Sequence, residues 1–265
     1  MTAGSVSIGN ERIEVEVAPD EGGRVAQITV DGVPLLVGRD EAHEPSPLAW
    51  GSYPMVPWAG RIRRGRFRFD GVDHELPVNF GAHAIHGVGF DRPWNVTQRS
   101  PGSVELELRL PSDARWPFGG TARQRLAVDG DVIRLELAAV AGDHAMPASL
   151  GWHPWFRKPE RFDFRPRAMY RRDDDYIAVD ELIPVPDGPW DDCFVNDEPV
   201  GLTIGGVELQ LTSDCDDWVV YDMPAHGTCV EPQSAPPDAF NLRPNRIEPG
   251  QELRIWFRIA LVTTR

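Results

Sequence analysis

Lysine is almost absent from this sequence, and positive charge as a whole is scarce. The 265 residues include a single lysine, Lys158, and 27 basic residues in total against 41 acidic ones, which gives a formal net charge of −14. A field of that sign repels nucleic acid and anionic membrane surfaces. We therefore expect neither of them as a partner. The sequence carries no signal about oligomeric state.

Cysteine and long apolar runs are also scarce. Cys193, Cys215 and Cys229 are widely spaced and form no Cys-x-x-Cys pair, which argues against a disulfide framework and against a cysteine zinc site. No apolar run approaches the length of a membrane span. The first residues, MTAGSVSIGN, lack a basic region followed by an apolar stretch, so we expect no secretory signal and a cytoplasmic location.

Helical periodicity is missing as well, whereas alternation of apolar and polar residues is frequent. RIEVEV (12–17), VELELRL (104–110) and LRIWFRIALV (253–262) alternate with the period of two that is typical of strands with one wet face. The 25 prolines interrupt most candidate helices. No linker divides the chain. We therefore predict an all-β fold, a β-sandwich or barrel, built as one domain over residues 1–265.

Short turn signals separate many of the alternating runs, and two longer segments lack alternation. The longer segments, 41–60 and 158–192, are rich in proline, aspartate and aromatic residues, and we interpret them as long ordered loops of functional importance. The dipeptides that predict hairpin turns are Asp31-Gly32, Asp70-Gly71, Asp129-Gly130 and Gly205-Gly206.

The stretch LGWHPWFRKP (150–159) places His153 among aromatic residues and directly before Pro154. The proline disfavours helical geometry at His153, so the segment is extended. His153 and Trp155 then share one face of a strand, and Trp152 and Phe156 take the other. Beside an indole that can stack on a sugar ring, His153 is a candidate acid or base. The alternative is a histidine that merely packs in an aromatic core.

Glu231 is a second ionisable residue followed by proline. In CVEPQSAPPDAFN (229–241), extension puts Cys229, Glu231 and Gln233 on one face. The surroundings are apolar, and burial would raise the pKa of Glu231 toward the range useful for a general base. A surface acid near a turn is the simpler alternative.

Three further stretches carry polar side chains of interest. In NFGAHAIHGVGF (79–90) the glycines argue against a helix that would let His83 and His86 share a metal, so we interpret His86 as a hydrogen-bonding residue at a strand end. Arg61 precedes a basic run, formed by Arg63, Arg64, Arg66 and Arg68, and can point away from it. WDDCF (190–194) offers two acids that can grip sugar hydroxyls.

Several of these stretches together resemble the aldose 1-epimerase (galactose mutarotase) family, in order and across most of the chain. No single motif decides the matter, whereas the ordered set is specific. The matching motifs are GRIRRGRF (60–67), IHGVGF (85–90), HPWF (153–156), DDCF (191–194), EPQSAPPDAFN (231–241) and the closing IEPGQELRIWFRI (247–259).

The resemblance implies a large twisted antiparallel β-sandwich of the galactose mutarotase type, with a sugar cleft and without metal or cofactor. It also implies that the protein is a mutarotase, an enzyme that interconverts the α and β anomers of a free hexose. Glu231 would be the general base and His153 the general acid, while Arg61, His86 and Asp191 would hold sugar hydroxyls. Asp192 is the alternative to Asp191.

The sequence also departs from the family pattern at three positions, which leaves the preferred sugar open. Gly60 stands where the family often has Asn, Val88 where a second Gly is usual, and Arg157 where Asn is common. Two other functions fit the same motifs. One is a hexose-6-phosphate 1-epimerase in which an arginine of the basic run reads the phosphate, and the other is a non-catalytic carbohydrate-binding or sensor protein. A His–Glu metalloenzyme is a more remote alternative.

Overall fold

The structure is a computed structural model that describes residues 4–262. Strands dominate it, and they are numbered here in chain order. All the strand pairings described below are antiparallel. The predicted all-β sandwich is confirmed.

Eleven strands form the larger sheet. Its spatial order is β1 (Val6–Gly9), β2 (Ile13–Ala18), β3 (Arg24–Val30), β5 (Ser52–Met55), β15 (Gly151–Arg157), β23 (Gly227–Gln233), β22 (Asp217–Tyr221), β19 (Asp191–Val195), β17 (Ala168–Arg172) and β18 (Ala178–Ile183), with β4 (Val33–Pro34) paired to β3.

Eight strands form the second sheet. Its order is β10 (Asn95–Ser100), β11 (Ser103–Arg109), β12 (Thr121–Asp129), β13 (Val132–Val140), β25 (Glu252–Leu261), β21 (Val207–Ser213), β20 (Val200–Ile204) and β16 (Arg161–Asp163).

The remaining elements are short. Three two-stranded pairs are β14 (Met146–Ala148) with β24 (Asn245–Ile247), β6 (Arg61–Ile62) with β9 (Ala84–Ile85), and β7 (Arg66–Phe69) with β8 (Val72–Glu75). The helical elements are α1 (Ala239–Leu242) and the 3-10 turns Pro19–Glu21, Arg39–Glu41 and Arg63–Gly65. No helix among residues 4–262 has the length and apolar character needed to cross a membrane.

The core lies between the two large sheets. Trp152 and Phe156 of β15 are fully buried there, as is Phe257 of β25. The rings of Trp152 and Phe257 lie 6.0 Å apart, and the Trp152 indole donates a hydrogen bond to Gln124 Oε1 on the second sheet. The predicted alternation in β15 is therefore correct, because its even-numbered residues fill the core and its odd-numbered ones face the opposite side.

The predicted turns join hairpins. Asp31-Gly32, Asp70-Gly71 and Gly205-Gly206 each connect paired strands, and φ is positive at both residues of each pair. The fourth turn lies one residue later than predicted, because Asp129 pairs with Val132 and leaves Gly130-Asp131 at the tip. The prediction of two long loops was wrong in part, since 41–60 contains β5 and 158–192 contains β16, β17 and β18.

Candidate active site

A cavity of about 200 Å³ opens on the face of the larger sheet that points away from the core. The volume is below the ~300–1,000 Å³ of drug-sized ligand pockets and therefore suits one small molecule. Its lining comprises His43, Glu44, Leu48, Ala49, Tyr53, Gly60, Arg61, Phe80, Ile85, His86, His153, Trp155, Asp191, Val219, Tyr221, Glu231, Gln233 and Pro237. All five residues singled out from the sequence, Arg61, His86, His153, Asp191 and Glu231, are in this set.

His153 and Glu231 face each other across neighbouring strands. The ladder between β15 and β23 pairs Gly151 with Gln233 and Trp155 with Cys229, so His153 and Glu231 lie opposite each other in the interval between those pairs. Pro154 and Pro232 follow them and have no N–H to donate to a ladder. His153 Nε2 lies 3.2 Å from Glu231 Oε1.

Burial controls the charge of this pair. His153 is 8% exposed and Glu231 is 2% exposed. Burial lowers the pKa of His153 to about 3 and raises the pKa of Glu231 well above its ordinary value, an effect that the negative charge of Asp191 reinforces. Gln233 Nε2 donates to Glu231 Oε2 at 3.1 Å, and this bond opposes the rise. Both shifts favour the neutral form of the side chain concerned.

Two aromatic rings pack against the imidazole of His153. Tyr53, its partner in the β5–β15 ladder, stacks on it at 4.8 Å, and Trp155 stacks at 5.7 Å. The Trp155 indole donates to the carbonyl of Leu48 at 2.7 Å. This packing limits rotation of the imidazole and aims Nε2 at Glu231.

Trp155 does not offer a free ring for sugar stacking, contrary to the interpretation of its sequence context. Its indole stacks on His226 at 5.6 Å as well as on His153, and the residue is only 4% exposed. Phe80, which sequence analysis missed, is the more exposed aromatic side chain of the lining, at 45%. The Arg61 guanidinium lies 5.5 Å from the centre of the Phe80 ring.

His86 reaches the cavity from a strained turn. Its φ is +59°, which is uncommon for a residue with a Cβ and is found where surrounding contacts fix the backbone. Gly87 follows at φ +76°, and a Cβ there would lie 2.0 Å from the Val56 carbonyl oxygen, so the His-Gly motif needs its glycine. His86 Nδ1 is buried without a hydrogen-bond partner among the described residues. Burial lowers the pKa of His86 well below its ordinary value.

The two acids of β19 have different environments. Successive residues of a strand point to opposite faces, and Asp191 lines the cavity while Asp192 does not. Asp192 is 8% exposed and pairs with Arg172 Nε at 2.7 Å. Asp191 lies farther from Arg172, at 3.4 Å, and burial raises its pKa.

Of the three positions that depart from the family pattern, only Gly60 lines the cavity. Gly60 has φ +68°, and a Cβ there would lie 3.0 Å from Pro237. Arg157 is bound instead to Glu41 at 2.5 Å, and Val88 is buried outside the lining.

A larger cleft of about 450 Å³ lies beside Arg24 and Trp50, and it contains none of the five residues.

Comparison with known proteins identifies the class to which this fold and cavity belong. The sequence model of the family described as aldose 1-epimerase matches residues 4–191, so the chain belongs to the aldose 1-epimerase family. His153 and the other three predicted residues up to Asp191 fall inside the matched range, whereas Glu231 lies beyond it.

Individual relatives are distant. The chain is 26% identical over 272 residues to the uncharacterized protein YihR of Escherichia coli (strain K12), an alignment that covers 90% of this chain and 87% of that one. It is 30% identical over 131 residues to the aldose 1-epimerase of the same organism, covering 47% of this chain but only 37% of that enzyme.

Solved structures share the fold at lower identity. The GalM/aldose epimerase homologue from C. elegans superimposes with a TM-score of 0.83 at 18% identity, covering 98% of this chain and 100% of that one. Galactose 1-epimerase from Lactobacillus acidophilus NCFM gives 0.82 at 17% identity, covering 98% and 95%. These likenesses extend the agreement in fold over nearly the whole chain.

Proposed function

We propose that this protein is a cofactor-independent aldose 1-epimerase that interconverts the α and β anomers of a free hexose. The observation that carries the proposal is the 3.2 Å contact between His153 Nε2 and Glu231 Oε1 in a cavity sized for one small molecule. The anomeric hydroxyl and the ring oxygen are both bonded to C1 of a pyranose. An acid and a base that serve the two oxygens must therefore lie side by side.

In the proposed reaction Glu231 removes the proton of the anomeric hydroxyl, and His153 protonates the ring oxygen. The C1–O5 bond breaks and the open-chain aldehyde forms. Rotation about C1–C2 and reversal of both proton transfers close the ring as the other anomer. Protons and electrons balance over the cycle, so no redox partner is needed.

The reactive form of the pair is the Glu231 carboxylate with the His153 imidazolium, and from that charged form the electrostatics of the cavity favour this proton movement. Burial raises the pKa of Glu231 and so makes its carboxylate a stronger base, while burial lowers the pKa of His153 to about 3 and so makes its imidazolium a stronger acid. Proton transfer to Glu231 and from His153 converts a buried ion pair into two neutral groups, which the low dielectric prefers. Arg61, His86 and Asp191 supply the proposed hydrogen bonds to the sugar.

The charges around the cavity support a free sugar over a sugar phosphate. Arg61 is the only Arg or Lys of the lining, and it is accompanied by the acids Glu44 and Asp191. Arg63 of the basic run pairs with Asp173 at 2.6 Å. Arg66 and Arg68 are exposed on the β7–β8 hairpin, and none of these three arginines lines the cavity.

Polarimetry of freshly dissolved α-D-glucose and α-D-galactose, with and without protein, tests the proposal. Wild type should speed the approach to anomeric equilibrium, and Glu231→Gln and His153→Asn should each reduce the catalysed rate by about 10²–10⁴-fold. The matched controls are Glu208→Gln and His74→Asn, which are outside the cavity and should retain the wild-type rate.

Other outcomes would select the alternatives. Activity confined to hexose 6-phosphates would replace the substrate class. Binding of sugars, seen by calorimetry, without any acceleration would favour a carbohydrate-binding protein. A rate that does not change between acidic and alkaline pH would contradict acid–base catalysis by this pair.

A further inference from the structure

Cys229 lies beside the acid–base pair but has no part in the proposed reaction. It precedes Glu231 by two residues on β23, shares its face of the strand, and is fully buried against Tyr53 and Trp155. Its Sγ, an imidazole nitrogen of His153 and a carboxylate oxygen of Glu231 all lie within 4.8 Å of one another. Cys193 and Cys215 belong to no such group among the described residues.

This combination of ligand atoms has a definite preference among metal ions. Imidazole nitrogen, thiolate sulfur and carboxylate oxygen are the ligands that Zn²⁺ takes, and zinc sites that keep an open position use three protein ligands. Mg²⁺ and Ca²⁺ need oxygen ligands and are poorly served by a thiol.

The spacing requires only small movements. Bonds of about 2.0–2.3 Å place the ligand atoms of a tetrahedral zinc site about 3–4 Å apart, so the widest of the present separations would have to close slightly. The pairing of Trp155 with Cys229 fixes the backbones of β15 and β23 relative to each other. The adjustment therefore has to come from the side chains of the three residues, whose ligand atoms already lie within 4.8 Å of one another.

We propose that His153, Cys229 and Glu231 form a binding site for Zn²⁺, and that the bound ion inhibits the enzyme. An ion bound to His153 and Glu231 engages the two side chains that the proposed reaction needs for proton transfer. The inhibitory half of the proposal rests on the proposed function, whereas binding of the metal does not.

Proton release accompanies this binding. A thiol binds a metal ion as the thiolate, so the ion displaces the proton of Cys229. Ions that form only weak bonds to sulfur cannot offset the cost of removing the thiol proton. This cost therefore strengthens the preference for Zn²⁺ and chemically similar ions.

Cobalt(II) provides a readout that does not depend on activity. The protein without a histidine tag is titrated with Co²⁺, and wild type should develop the near-ultraviolet charge-transfer band of a thiolate bound to cobalt, which Zn²⁺ then removes. Cys229→Ala should abolish the band, and the matched variant Cys215→Ala, which removes a buried thiol elsewhere, should keep it. Absence of the band in wild type, or its persistence in Cys229→Ala, overturns the proposal.

The activity measurement separates the two proposals. Zn²⁺ should slow mutarotation by wild type and Cys215→Ala, and Cys229→Ala should retain basal activity while requiring at least about tenfold more Zn²⁺ for the same inhibition, because even residues that only support a metal ligand contribute 10–100-fold to affinity. Cys229→Ser serves if the alanine variant does not fold. A cobalt band without mutarotation refutes only the proposed function, and mutarotation without the band refutes only the metal site.

Discussion

His153 and Glu231 face each other at 3.2 Å in surroundings that favour the neutral form of both side chains. Such an arrangement is costly to charge and leaves a signature in stability as well as in activity. Each side chain makes its own pH-dependent contribution to the free energy of unfolding, and the two contributions change in opposite directions with pH. They can be measured separately.

For His153 the folded-state pKa of about 3 lies below the unfolded value of about 6.5. Between these two pH values the unfolded chain binds a proton that the folded protein does not. The free energy of unfolding therefore falls on acidification, by up to about 1.4 kcal/mol per pH unit. His153→Asn removes this contribution, so urea denaturation at pH 7 and pH 4.5 should show a smaller loss than in wild type. The same loss in both proteins would contradict the assigned direction, and His74→Asn is the matched control for removal of an imidazole outside the cavity.

For Glu231 the sign is reversed, because its folded-state pKa is raised. The folded protein keeps a proton that the unfolded chain has released, so the contribution of Glu231 to stability is lost as pH rises from about 4.5 through the folded-state value. Glu231→Gln should thus melt at a higher temperature than wild type at pH 8 and show no such advantage at pH 4. Glu208→Gln, which removes an exposed carboxylate outside the cavity, provides the comparison. A Glu231→Gln protein that is less stable than wild type at pH 8 would refute the expectation.

Substitution should distinguish the roles of the two acids of β19, Asp191 and Asp192. Asp191→Asn should reduce kcat/KM for sugar with little change in stability, because its side chain faces the cavity and contacts Arg172 only at 3.4 Å. Asp192→Asn should instead lower the free energy of unfolding by about 1–3 kcal/mol, since it weakens the 2.7 Å contact of a buried carboxylate with Arg172. Kinetics and denaturation of both variants check this. The reverse pattern would assign the sugar contact to Asp192.

We expect Arg24 to stabilise the backbone segments that lie behind His153. It is 1% exposed and donates to the carbonyls of Glu21, Trp50 and Phe90 at 2.7–3.0 Å. Burial lowers its pKa to about 10. Arg24→Met leaves these acceptors unpaired and should cost about 1–3 kcal/mol for each acceptor that stays buried.

Arg39→Met is the matched control for this change. Arg39 also lies near Trp50, but its side chain is exposed and pairs with Glu21 at the surface. Its substitution should change the free energy of unfolding by less than about 0.5 kcal/mol. Equal effects of the two substitutions in denaturant unfolding would show that burial of Arg24 does not matter.

Much of this protein is determined locally by its sequence. Pro154 predicted an extended segment at His153, and this indicated which residues of β15 fill the core, because a strand places successive side chains on opposite faces. The Asp-Gly and Gly-Gly dipeptides located the hairpin turns, with an error of one residue at Gly130. The order of the motifs was sufficient to indicate the family.

The tertiary structure decided what depends on pairing between distant segments. The position of Tyr53 against His153 follows from the register of β5 with β15, which nothing in the sequence near either residue encodes. The partnership of Asp192 with Arg172, and the covering of Trp155 by His226, likewise join residues from separate strands and loops. Alternation indicates which face a side chain takes, but only the packed sheets determine what it meets there, and burial in that packing is what shifts the pKa values of His153 and Glu231.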